Sequence, residues 1–109
     1  MRYQVTKLDQ RHSHSGYFKY MLEFSKSTWI GTGVLEFDRA RRWMNQTWGW
    51  SQEVETRATM QVRSNEPGYN AEEINLHWAY SVLYKDYRIY LHSDKELAWF
   101  QLIHAQDNN

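Results

Sequence analysis

The chain has no cysteine, a single proline and only five glycines among 109 residues. Without cysteine there are no disulfides and no thiolate metal sites. That composition fits an intracellular, cytoplasmic protein better than a small secreted one, which usually depends on such staples. No apolar run approaches the ~20 residues that span a bilayer. Met1-Arg-Tyr-Gln-Val5 lacks the apolar stretch of a signal peptide, so neither membrane insertion nor export is expected. Net charge is missing too, because 13 Lys/Arg balance 13 Asp/Glu. The balance is not local: residues 1–63 carry ten Lys/Arg against six Asp/Glu, and residues 64–109 carry three against seven. Opposite ends of this kind can steer a polar partner or pair head-to-tail, although a solvated surface shows such variation by chance.

What the chain has in excess is aromatic surface: six tryptophans, eight tyrosines and four phenylalanines. Aromatics bring large buried area and specific packing geometry. There are more here than a small core should need, which leaves some to face a partner. The length fits one domain over residues 1–109. A chain of this size buries roughly two-thirds of its unfolded surface and needs no staple.

Arg2–Leu8 reads as a strand, Asp9–Gly16 as a polar loop, and Tyr17–Phe24 as a second strand. On the second strand Phe18, Tyr20, Leu22 and Phe24 share one face, and Tyr17, Lys19, Met21 and Glu23 the other. Ser25–Gly33 connects to a helix over Val34–Trp48, with Phe37, Ala40, Arg41, Met44 and Trp48 at helical spacing and Gly49 as its stop. Val54, Thr56, Ala58, Met60 and Val62 alternate with polar residues, which predicts a half-buried strand. Ser64–Asn75, with Pro67-Gly68, reads as a long exposed loop.

His77–Tyr84 and Tyr87–His92 flank Lys85-Asp86 and predict a hairpin in which Tyr84 opposes Tyr87, Val82 opposes Ile89 and Tyr80 opposes Leu91. One face then holds Trp78, Tyr80, Val82, Tyr84, Tyr87, Ile89 and Leu91. The other holds Ala79, Ser81, Leu83, Arg88, Tyr90 and His92. Ser93-Asp-Lys-Glu96 is a capping box before a helix running to about Ala105. That helix is apolar around most of its circumference, so it is expected to be well buried. The predicted fold is α+β, in the order β-β-α-β-β-β-α. An antiparallel sheet of about five strands carries two helices on one face. The second face is left for solvent or a partner.

The chemistry-bearing clusters are sparse. His12-Ser-His14 could share a metal, but a site needs further protein ligands and the pair sits in a polar tip. His77 and His92 lie diagonally on one hairpin face near Ser81 and Arg88, where imidazoles titrating near ~6.5 would make a general acid/base or a pH-sensitive contact. A sheet edge and its solvated face is the plainer reading. Glu53/Glu55 and Glu72/Glu73 are the close acidic pairs, and neither sits beside the walls of an evident cleft. Gly31-Thr-Gly33 lacks the rest of a phosphate-binding loop. No catalytic constellation, cofactor or metal is therefore expected.

Arg39, Arg41 and Arg42, with Trp43, Trp48 and Trp50 behind them, are the richest constellation. Arginines at helical spacing contact phosphates, and exposed aromatics stack on bases. Lys19, Tyr17, Arg88 and Tyr90 on outward strand faces would extend that platform. The plainer reading makes the tryptophans the end of the core and the arginines its charged rim.

Phe37-x-x-Ala40-Arg-Arg-Trp43-Met, Thr47-Trp-Gly49, Trp78-x-Tyr80 and Glu96-Leu-Ala-Trp-Phe100 together resemble small proteins encoded by tailed bacteriophages. The motifs are core positions, so the resemblance implies a shared fold, no shared activity and no functional residues. It also implies a place in an infected bacterial cell or a virion.

The expected function is that of a non-enzymatic binding module, acting on a protein partner or on itself. Its expected contact residues are Tyr17, Arg39, Arg42, Trp50, Arg88 and Tyr90, residue types that interface cores favour. The alternative is a single-stranded nucleic-acid binder using the same surface. A third reading is an enzyme with a site in Ser64–Asn75 near His77.

Overall fold

The computed structural model describes residues 1–12, 14–24, 32–63, 66–68, 74–83 and 86–105. Among the described residues, four strands and three helices follow in chain order: β1 (Tyr3–Lys7), β2 (Tyr20–Phe24), α1 (Thr32–Trp48), α2 (Val54–Arg63), β3 (Trp78–Ser81), β4 (Tyr87–Leu91) and α3 (Asp94–Ile103). The strands form one antiparallel sheet in the order β1-β2-β4-β3. The class is α+β, as the residue pattern predicts, but five strands with two helices is corrected to four with three.

The two N-terminal strands pair as a hairpin, with Tyr3 opposite Phe24 and Lys7 opposite Tyr20, although β2 begins at Tyr20 rather than at Tyr17. α1 stops at Gly49, whose φ of 89° is one that side-chain-bearing residues rarely adopt, and whose N–H closes on the Asn45 carbonyl at 3.0 Å. Phe37, Ala40 and Met44 form its buried stripe.

The segment read as a third strand is α2. Its buried positions are Val54 and Arg57, with Ala58 half-buried beside them, which is helical spacing. The apparent alternation rested partly on Thr56 and on Val62, which is 75 % exposed. Glu, Arg, Ala, Met and Gln in this stretch favour a helix, and Glu55 in the first turn and Arg63 in the last complement its dipole.

The β3–β4 register is two residues away from expectation. Tyr80 opposes Ile89 rather than Leu91, and Trp78 takes Leu91. A slip of two leaves every side chain on its own face, so the hydrophobic pattern cannot distinguish the two registers. Lys85-Asp86 lacks the glycine that a tight two-residue turn demands. β3 therefore ends at Ser81, and the chain turns more widely, with the Asp86 N–H on the Leu83 carbonyl at 2.9 Å. The predicted Tyr84–Tyr87 pair includes a residue outside those described.

Each sheet face has its own core. On one, Tyr3, Leu22, Phe24, Trp78, Ile89 and Leu91 pack with Phe37, Ala40 and Met44 of α1 and Phe100 of α3. Full burial of each large side chain here contributes roughly 1.5–3 kcal/mol. On the other, Met21, Ala79 and Tyr90 pack with Phe18 and with Val54 of α2. The second face is thus covered where the predicted fold left it open. Phe18 also changes sides, because β2 begins at Tyr20 and the chain before it bends away from strand alternation.

Candidate interaction surface

Asn75 joins the helical and sheet parts of the fold. Its Nδ2 reaches the carbonyls of Trp48, Gly49 and Trp50 at 3.0, 3.2 and 3.1 Å, which satisfies the open end of α1. Its Oδ1 accepts the N–H groups of His77 and Trp78 at 2.9 and 3.3 Å, which starts β3. Arg57 Nε donates to the Asn75 carbonyl at 3.0 Å, Trp78 Nε1 to the Gly49 carbonyl at 2.9 Å, and the Ser51 hydroxyl to the Trp78 carbonyl at 2.6 Å.

Beside this junction lies α3. Ser93 stands at its N-cap in extended backbone, and the Leu97 N–H closes the first turn on the Ser93 carbonyl at 3.3 Å. The reciprocal capping box does not form. The Ser93 hydroxyl instead donates to the carboxylate of the buried Glu96. His77 Nδ1 lies 3.7 Å from the same carboxylate, and the His77 ring stacks on Trp48 at 21° with centroids 5.7 Å apart.

α3 is not well buried, contrary to the expectation from its composition. Phe100 and Glu96 face inward, whereas Trp99, Leu102 and Ile103 are 50, 73 and 52 % exposed. A helix laid on a sheet buries one stripe only, and α3 is apolar on the opposite one as well. Trp99, Leu102 and Ile103 are neighbours on its outer surface. Where α3 approaches the end of α1, Thr47, Trp48, Lys95 and Trp99 line an open groove of about 310 Å³.

The six expected contact residues do not share this surface. Arg39 and Arg42 lie on α1, where they line a groove with Leu35, Glu36 and Asp38. Arg42 pairs with Asp38 at 2.6 Å. Arg41 is half-buried, its guanidinium 4.0 Å from the Tyr80 ring centre. Tyr17, Arg88 and Tyr90 lie across the sheet. Tyr90 is 2 % exposed, and burial raises its phenol pKa while Arg88 opposes that rise. The Tyr17 hydroxyl donates to the Leu76 carbonyl at 2.7 Å, and its ring lies over the buried Arg57 guanidinium at 4.0 Å. Arg88 lies 3.6 Å from Asp86. Trp50 is 70 % exposed, just beyond α1. The residues that sequence reasoning missed are Trp99, Leu102, Ile103 and Lys95. Trp99, Leu102 and Ile103 carried a signal in the second apolar stripe of α3, and Lys95 carried none.

The remaining clusters resolve locally. His14 donates its backbone N–H to His12 Nδ1 at 3.1 Å, and both rings pack near Tyr90. His77 and His92 are joined through their backbones, but the His92 ring turns to Tyr17, 4.3 Å between centroids. Glu53 bridges to Tyr80 and Glu55 opens α2, so the two do not share a strand face. Thr32 and Gly33 begin α1, and Gly31 lies outside the described residues, as do Glu72 and Glu73 and most of Ser64–Asn75. Among the described residues no group of three or more His, Asp or Glu comes together to hold a metal ion. Among them too, no helix is long and apolar enough to cross a membrane. No protein-family model, curated protein or solved structure matches the chain.

Proposed function

We propose that this chain is a non-enzymatic interaction module whose contact surface is the outer face of α3, used on a protein partner or on a second copy of the chain. The observation that carries the reading is the exposure of Trp99, Leu102 and Ile103 at 50, 73 and 52 % on neighbouring positions of one helix. Single exposed apolar residues are ordinary, whereas a cluster of large ones marks a contact site. Tryptophan is the residue most enriched among contacts that dominate binding energy. Exposed Trp50 and the Arg39/Arg42 groove remain candidates for further contacts. Truncating Tyr90 would test folding rather than contact, because Tyr90 is in the core.

The nucleic-acid alternative receives less support, since Arg41 is stacked on Tyr80 and Arg42 is paired with Asp38. Action in an infected bacterial cell or a virion belongs to the proposal on the strength of the phage resemblance, and a cytoplasmic place on the lack of cysteine. The test is light scattering across concentration and salt, on wild type and on a Leu102→Gln/Ile103→Gln variant. A wild-type mass above the monomer, insensitive to salt and lost in the variant, is the expected result for self-association. A monomer at every concentration, with no protein retained on an immobilised wild-type column that the variant column also lacks, sinks the proposal. Binding to single strands that collapses between low and physiological salt selects the alternative.

A further inference from the structure

The groove between α1 and α3 borders the outer face of α3 at Trp99 and has a composition of its own. Two indoles, Trp48 and Trp99, form apolar lining, and Lys95 is its charged group. The two carboxylates that flank Lys95 in the chain are both turned elsewhere. Asp94 accepts from Lys19 Nζ at 2.8 Å and from the Tyr20 hydroxyl. Glu96 is buried against Ser93 and faces His77. The field at the groove is therefore that of an ammonium beside aromatic surface.

One wall is also held in place. Trp48 is stacked on His77 and meets Trp43 edge-on, with centroids 5.1 Å apart. His77 is positioned in turn by the buried Glu96, and Glu96 by Ser93. A buried carboxylate is costly unless paired and hydrogen-bonded, and here its partners lead directly to the groove wall. A wall fixed beforehand lowers the ordering cost of binding. Sites for small ligands combine apolar walls with a few placed polar groups, at volumes from about 300 Å³ upward.

We propose that this groove binds a planar aromatic ring bearing one anionic group, the ring against Trp48 and Trp99 and the carboxylate or phosphate on Lys95. A neutral ring would gain nothing from the exposed ammonium, and a bare anion would leave the indoles in water. The ligand site shares Trp99 with the α3 contact surface, but Leu102 and Ile103 do not line it.

The experiment is a titration of ¹⁵N-labelled protein with 2-naphthoate, 2-naphthyl phosphate, 2-naphthylmethanol and acetate. Indole N–H resonances are assigned by single Trp→Phe variants, and the buried, hydrogen-bonded Trp78 reports that the fold is intact. The expected result is saturable shifts at Trp48 and Trp99 with the naphthyl anions, about fivefold weaker binding of the neutral alcohol, and no response to acetate. Lys95→Gln should bring the anions down to the alcohol's affinity, and Trp99→Ala should abolish saturation with Trp78 unmoved. Comparing carboxylate with phosphate identifies the head group. The Leu102→Gln/Ile103→Gln variant keeps Trp48, Lys95 and Trp99 and should retain the saturable shifts, which separates the ligand site from self-association through α3. Absence of saturable shifts at Trp48 and Trp99, equal affinity for charged and neutral probes, or indifference to Lys95→Gln overturns the proposal.

Discussion

The carboxylate of Glu96, 3 % exposed, faces the His77 imidazole at 3.7 Å on one side and accepts the Ser93 hydroxyl on the other. Removing the carboxylate takes the acceptor from the half-buried Ser93 hydroxyl and the facing charge from His77, whose side chain is 41 % exposed. Glu96→Ala should cost about 1–3 kcal/mol of stability, read from the urea midpoint. Its specific sign is a loss of the ring-current shift that His77 and Trp48 impose on each other. An unchanged midpoint and unchanged shifts would mean that the carboxylate holds nothing.

Asn75→Ala should be among the most damaging single polar substitutions in the chain. It removes a donor from the carbonyls that end α1 and an acceptor from the N–H groups that begin β3. The expected loss is about 2–3 kcal/mol in denaturant unfolding. Asn75→Asp should be no better, since it keeps the acceptor and turns an anion toward the carbonyls.

Asp94 links acid and alkaline behaviour. Hydrogen bonds from Lys19 and then Tyr20 hold its carboxyl below the ordinary 3.8, so its contribution is present above that value and fades as pH falls through the lowered one. The hydrogen bond to Asp94 raises Lys19 above 10.5 and Tyr20 above 10.0, so theirs is present below those values and fades as pH rises through the raised ones. Asp94 is exposed and the Lys19 and Tyr20 side chains are partly so, and solvent keeps the effects small. Asp94→Asn should flatten both limbs of the stability–pH curve. A curve unchanged at both ends would refute the linkage.

His14 and His104 act on the mildly acidic side. Burial lowers both below 6.5, helped at His104 by Arg39 and the terminal amine and resisted at His14 by Glu55. The unfolded chain therefore takes up protons first, and stability falls as pH drops from 6.5 toward the lowered values. His14→Gln and His104→Gln should each shrink the difference between urea midpoints at about pH 7.5 and about pH 5.5. A wider difference in either variant would reverse the sign argued here.

α2 can be checked by proline. Thr59 lies inside the helix, its hydroxyl on the Glu55 carbonyl at 3.2 Å. Thr59→Pro removes a helical hydrogen bond and clashes with the preceding turn, at a cost of about 3 kcal/mol. A near-neutral result would count against a helix there.

Much of the architecture is readable before folding. The first hairpin, the Gly49 stop, the start of α3 at Ser93 and the face assignment of β3 and β4 all follow from local rules. The failures share one cause, which is that a period shows a stripe but not what it meets. At residues 54–62 an alternating reading and a helical reading compete, and the helical one requires Arg57 in the interior, where a charged residue is not looked for. Misreading α2 then left Tyr90 bare on an open face, when it lies beneath α2 and the 14–18 turn. The β3–β4 register escaped because an even slip costs the pattern nothing. On α3 the apolar residues run all round, so composition could not say that Phe100 turns inward while Trp99 and Leu102 turn out.

The Asn75 junction also bears on the order in which the molecule comes together. The last turn of α1 receives its cap from a residue 27 positions further along the chain. During synthesis that turn emerges long before its partner does and must meanwhile rely on water. Once Asn75 arrives, one side chain closes the helix and opens the strand together. The two boundaries therefore depend on one side chain, and a change at Asn75 reaches both without passing through the sheet.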